Sequence, residues 1–422
     1  MRKVKITKLD LFYYSFPAIF TSFAGIPLYI YAPEYYNANY GVSLSYLGLS
    51  LLALRAIDAV QDPLIGVLSD KYSRYRYSII FFTSIVLVIS FSVLFQPDIS
   101  NAKIWFFIAM LIATSSYSIV TINLNTYGGL WTQDKKQQIK ITTSRESFSL
   151  IGLLIAVSIP AILMSKMNSS DTFLIMGIIL FILMCFSMIS LRIWCKRNPA
   201  YDNNTKSYNF DIKFIRTLSA ETRYFFKIYF VSMLASAIPS VLVIFFIKYI
   251  LDATSYTGLF LFLYFISGAI GMIFWYHFSN KLGKEKAWAY SMLVATMSFV
   301  WAFFLREGDL VQYAIICAIS GIAFSADLSI PPSILADKIH KQHLEKNATF
   351  WFGILAFLAK LSLGVSSAVV MLILEKAGLQ SSSLNGDETL LLLSFLYSIV
   401  PCAIKLVSYA MINHSIRISK EI

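Results

Sequence analysis

Charge is scarce in this chain. Only 14% of its 422 residues are Asp, Glu, Lys or Arg, against about 25% in soluble domains, while 57% are hydrophobic and the mean hydropathy is +0.67. That excludes a soluble globule and leaves a polytopic membrane protein. Cysteine is scarce too: Cys185, Cys195, Cys317 and Cys402 lie in or beside apolar runs without CxxC or Cys/His spacing, which excludes a zinc site and a disulfide framework. His277, His340, His343 and His414 show no ligand spacing and read as ordinary surface residues. HExxH, GxSxG and P-loop patterns are missing, so neither enzymatic chemistry, a bound cofactor nor ATP-driven pumping is expected. The formal charge of +12 does not point to nucleic acid, because the basic residues occupy short loops between apolar runs.

Apolar windows near 20 residues, enough to cross about 30 Å of hydrocarbon, number twelve: 11–33, 44–68, 77–96, 104–131, 143–165, 172–194, 222–250, 257–279, 286–305, 309–334, 348–374 and 389–412. The first follows a basic start, has no small-residue cleavage site and is expected to be retained. The longest polar interval falls between the sixth and seventh. It predicts an N-terminal six-helix bundle (1–194), a cytoplasmic linker (195–221) and a C-terminal six-helix bundle (222–422). About 23 Lys and Arg lie in the termini and even-numbered connections against about five in the odd-numbered ones, which puts both termini in the cytoplasm. The tight basic turns Asp70–Arg76 and Asn280–Lys286 follow the second helix of each half. This internal correspondence fits two pseudo-symmetric bundles with a site near mid-membrane, as in a rocking carrier.

The second window holds Arg55, Asp58 and Asp62 in an otherwise apolar run. Offsets of three, four and seven set them on one helical face. Each costs about 2.5 to 3.5 kcal/mol at a bilayer centre, so the face should meet partners or water. Arg55 as an ion-pair partner balances only one aspartate. The other acid suits Na⁺ or a proton, between which the residues do not decide. In the fourth window Asn123, Asn125 and Tyr127 are candidates for binding solute, while the neighbouring serines read as helix-helix glue. Arg145 has three readings: a clamp on an anionic or hydroxyl-rich solute, a partner for Asp58 or Asp62, or a cytoplasmic-end anchor. Lys360 is too deep in its helix to snorkel. It faces either the acids of helix two or Asp327.

The pattern Arg55-x-x-Asp58-x-x-x-Asp62-Pro63-x-x-Gly66-x-x-x-Asp70 resembles the helix-two signature of the glycoside/pentoside/hexuronide:cation symporters, the melibiose-permease-like branch of the major facilitator superfamily. Asn125-Thr-Tyr127-Gly-Gly with Arg145, Ala326-Asp327-Leu-Ser-Ile-Pro331-Pro, and Phe350-x-Phe352-Gly353 with Lys360 are similar to further family stretches, in the right order. The resemblance implies an all-α, twelve-helix major facilitator fold. It implies a coupling-cation site at Asp58, Asp62 and Thr121, Arg145 at the solute cavity, Lys360 in contact with the cation site, and a gating loop of Gly66, Asp70 and Arg74. Galactoside-binding members carry acids in helices one and four, where this chain has Phe20-Thr21-Ser22 and Asn123-Leu124-Asn125. Galactoside recognition in that form is not expected.

The expected function is therefore secondary active symport of a small polar solute, such as a sugar or glycoside, with Na⁺ or H⁺. The expected setting is the plasma (bacterial inner) membrane, with the solute and the lipid bilayer as partners and no obligate protein partner. The alternatives are a carrier or exporter of an amphiphile such as a lysolipid, and a non-transporting membrane sensor on the same fold.

Overall fold

The computed structural model describes residues 6–97, 101–163, 167–198, 219–377 and 386–421; the basic residues 1–5 and residues 199–218 of the predicted linker lie outside them. Among the described residues twelve long helices follow one another. In order they are α1 (Lys8–Tyr40, with a π turn at Pro27–Tyr31), α2 (Leu44–Lys71), α3 (Arg76–Leu94), α4 (Ala102–Leu130), α5 (Lys135–Leu163) and α6 (Ser169–Arg197). The second six are α7 (Ala220–Tyr249), α8 (Thr257–Leu282), α9 (Lys284–Phe299), α10 (Leu310–Lys341), α11 (Ala348–Lys376) and α12 (Asp387–Ser394 and Val400–Glu421, joined by a π turn). No strand occurs among the described residues.

Ten of these helices are long and apolar enough to cross a membrane. The other two, α2 and α5, are 28 and 29 residues long and carry Arg55, Asp58, Asp62 and Arg145. Apolar side chains cover the outside: Phe82, Met297 and Val311 are 64%, 79% and 71% exposed. That is unfavourable in water and natural in lipid. The turn between α8 and α9 is closed by Gly283, whose φ of +89° excludes most side chains.

By internal contacts the chain forms two units: Met1–Asp211 with Leu335–Phe357, and Ile212–Ile334 with Leu358–Ile422. The first thus contains α1 to α6 and the end of α10, the turn after it and the start of α11. At its basic end Tyr14, Trp131 and Trp194 pack with ring centres 5.0 to 5.5 Å apart. There Asp10 completes a capping box with Thr7 and accepts from Arg197 Nε at 2.6 Å, fastening α1 to α6. At the opposite end Phe95 stacks on Phe173 at 4.0 Å. In the second unit Phe246 stacks on Tyr397 at 4.1 Å, and the Tyr397 and Tyr313 hydroxyls bond at 2.7 Å.

Candidate functional site

One face of α2 is apolar and outward, with Val60, Leu64 and Leu68 exposed at four-residue intervals. The opposite face carries Asp58 and Asp62, 1% and 0% exposed. The π turn of α1 sets Tyr29 against this face; such bulges re-aim side chains and recur at functional sites. The Tyr29 hydroxyl donates to Asp58 Oδ2 at 3.2 Å, and the Arg55 guanidinium lies 4.7 Å from the centre of the Tyr29 ring. Gln61 donates to Asp58 Oδ1 at 2.6 Å and accepts from the Ser115 hydroxyl of α4 at 3.0 Å. Thr121 Oγ1 is buried against Tyr117 without a well-formed hydrogen bond. Two buried acids thus stand one helical turn apart, the first of them accepting from the Tyr29 hydroxyl and the Gln61 carboxamide. Gln61 has no role in the sequence reading, in which the serines around Ser115 count as helix-helix glue. Gln61 carried a signal, a carboxamide one turn from Asp58 inside an apolar run, whereas Tyr29 and Ser115 reach the site only through the packing of α1 and α4.

The remaining residues of this unit divide by partner. The Asn123 carboxamide accepts from Arg76 Nε at 3.3 Å and donates to Ser69 Oγ at 2.9 Å and Ile119 O at 2.8 Å. It thereby links α2, α3 and α4. Tyr127 is buried edge-on to Trp194, with the Arg76 guanidinium 5.5 Å from its ring centre. Asn125 is half-buried. Arg145 is buried and gives Nε (3.1 Å) and Nη2 to Oε1 of its neighbour Glu146.

Gating-loop geometry departs from the expectation at one residue. Asp70 accepts from the backbone N–H groups of Thr349 (3.0 Å) and Phe350 (2.8 Å) at the start of α11. Its cation is Arg76, at 3.3 Å, which also donates to Thr349 Oγ1 at 2.7 Å. Arg74 is exposed on the 3₁₀ turn Ser73–Tyr75, because that turn rotates it away from the start of α3. Gly66 and Gly353 let the backbones meet: a Cβ would stand 2.5 Å from Phe350 Cα at the first and 2.6 Å from the Asp62 carbonyl at the second.

In the second unit Asp327 takes Lys405 as its cation, at 2.5 Å. It also accepts from Trp288 Nε1 at 2.7 Å and from the Ser232 and Ser236 hydroxyls at 3.2 and 3.1 Å. Of the two sequence readings for Lys360, pairing with Asp327 is therefore displaced by Lys405. Lys360 is half-buried on α11.

Comparison with known proteins identifies the family and the fold. Residues 13–418 match the MFS/sugar transport protein family. The chain is 30% identical to the Escherichia coli inner membrane symporter YicJ in a local match spanning 29% of this chain and 28% of that protein. It is 23% identical to the sodium-dependent lysophosphatidylcholine symporter 1 of Gallus gallus over 84% of this chain and 76% of the relative. It is 21% identical to the uncharacterized symporter YnaJ of Bacillus subtilis over 90% and 85%. Among solved structures, a bacterial homologue of the iron transporter ferroportin aligns with a TM-score of 0.71 at 13% identity, covering 97% of this chain and 99% of that one. The E. coli fucose:proton symporter FucP aligns at 0.67 and 12% identity, covering 96% and 97%. With a matching family across nearly its whole length and the major facilitator fold, the chain belongs to the MFS/sugar transport protein family and is a multi-pass membrane transporter, not an enzyme.

Proposed function

We propose that this protein is a secondary active transporter in which Asp58 and Asp62 take up a coupling cation, Na⁺ or H⁺, together with a small polar solute of the sugar or glycoside class. The observation that carries the reading is the pair of buried acids on α2. Carboxylate oxygens one helical turn apart match the preference of hard cations for oxygen ligands. Thr121 is the proposed neutral oxygen of the site, and Gln61 orients Asp58 through its amide N–H. Asn125, Arg145 and Lys360 are the proposed solute contacts, with Arg145 held in place by Glu146. Asn123 and Tyr127 are proposed to position α4 from behind. The closure at Gly66, Asp70 and Arg76 is the proposed gate, on the face that the Lys and Arg bias assigns to the cytoplasm. A bacterial inner membrane is the proposed location, by likeness to YicJ. Each ligand must raise the other's affinity by the same factor. Thermal-shift titration of the purified protein against sugars, glycosides, organic acids and lysolipids, each with and without Na⁺ and at two pH values, tests this. A solute whose affinity is indifferent to both ions removes the coupling.

A second reading changes only the cargo. Likeness to the lysophosphatidylcholine symporter extends over 84% of the chain, and no acid occupies the Phe20–Ser22 or Asn123–Asn125 stretches. An amphiphile with a cationic or neutral head group fits these facts. In the same titration it predicts a shift with lysolipid and none with sugars.

A further inference from the structure

We propose that the first turns of α7 and the last turns of α12 form a head-group site for an anionic phospholipid of the adjoining leaflet. Both helices lie in the second unit and pack on each other. Tyr224 meets His414 edge-on, with ring centres 6.4 Å apart, so the start of α7 stands beside the end of α12. A cavity of about 310 Å³ opens there, lined by Ala220, Arg223, Tyr224 and Lys227.

The pocket is basic. Arg223 and Lys227, four residues apart, are exposed on one face of α7, and His414 and Arg417 are exposed on α12. Against them stands Glu221, half-buried in the first turn of α7. Lys420 and Glu421 at the tip of α12 cancel in charge. Three cations and an imidazole around a concave site attract an anion, and the positive end of the α7 dipole falls in the same place.

The surface next to the pocket selects a lipid over a dissolved phosphate. On the outward face of α12, Leu406 and Val407 are 45% and 53% exposed, followed by Ala410, His414 and Arg417. Spacings of three and four residues keep these side chains in one helical stripe. The stripe passes from apolar to basic within about 10 Å of helix, the order of hydrocarbon and head group in a leaflet. An acyl chain laid on Leu406 and Val407 brings its own phosphate to the level of Arg223, His414 and Arg417. Basic pockets between spanning helices take acidic head groups in this way. The linker does not supply the anion, because residues 199–218 hold Lys206, Lys213 and Arg216 against Asp202 and Asp211. The Lys and Arg bias that orients the proposed transporter makes this the cytoplasmic leaflet, although the site itself does not rest on the transport reading.

The test titrates the full chain in neutral detergent with dioleoyl phosphatidylglycerol, dioleoyl phosphatidylcholine or inorganic phosphate and counts one-to-one complexes by native mass spectrometry. Phosphatidylglycerol should bind at lower concentration than phosphatidylcholine. Arg223→Gln/Lys227→Gln should weaken phosphatidylglycerol about tenfold or more, since each basic residue near an acidic lipid is worth about fivefold, and should change phosphatidylcholine far less. Lys135→Gln/Lys136→Gln removes the same charge from exposed positions at the start of α5 and should leave the affinity within about twofold. Equal affinity for the two lipids, or an equal loss in the two double variants, overturns the proposal. So does inorganic phosphate that displaces phosphatidylglycerol from the pocket, which would make it a site for free anions.

Discussion

Two buried acid clusters, one in each unit, differ in the donors that surround them. Asp327 receives four donors, one of them a lysine ammonium at 2.5 Å, and is neutralised within the protein. Among the donors to Asp58 are a phenol and a carboxamide, and Asp62 is buried a turn away. One cluster fastens its helices through an ion pair, and the other is proposed to take part in cation binding. The contrast shows that a buried acid is read by its partners, because burial alone is the same in both.

Predictions that break or sharpen this contrast run from large to small. Lys405→Met leaves Asp327 buried without its cation and should cost about 3 to 5 kcal/mol of stability, seen in thermal or denaturant unfolding. Adding Asp327→Leu should restore much of the loss, because an apolar pair of similar volume replaces the ion pair. In the α2 cluster the readout is the ion: Asp58→Asn or Asp62→Asn should abolish stabilisation by the coupling ion, which the Asp327→Leu/Lys405→Met pair should leave in place. If both clusters respond alike, the distinction between them fails. Gly353→Val puts a side chain where the Asp62 carbonyl stands and should undock residues 335–357, read as faster exchange of the Thr349 and Phe350 amides. Arg76→Ala should cost about 1.5 to 3 kcal/mol as a charged hydrogen-bond donor lost from a buried site. Arg74→Ala, exposed, should stay within about 0.5 kcal/mol of the starting protein.

How much of this was legible in the sequence follows from which physics is local. Twelve apolar windows gave twelve helices, since length and hydropathy are properties of a segment. α5 nevertheless begins at Lys135, eight residues before its apolar window, because a helix continues past the hydrocarbon where hydropathy no longer marks it. The inward face of α2 was legible from spacing alone. Partners were not: Arg76 instead of Arg74, Lys405 instead of Lys360 for Asp327, and the bridging of Asp58 to α4 through Gln61 all depend on packing between helices far apart in sequence. His340 read as an ordinary surface histidine for the same reason, since its partner, the Gly129 carbonyl, lies 211 residues away.

The most direct test of the central claim is cation binding by the purified protein without solute, followed as a melting-temperature shift over a Na⁺ series at fixed pH and over a pH series without Na⁺. A ligand at a hundred times its Kd stabilises by about 2.7 kcal/mol, which such melting resolves. The account predicts a saturable response to one of the two ions that disappears in both Asp58→Asn and Asp62→Asn and survives in Asp327→Leu/Lys405→Met. A protein that responds to neither ion, or whose response persists when the α2 acids are replaced, would contradict it.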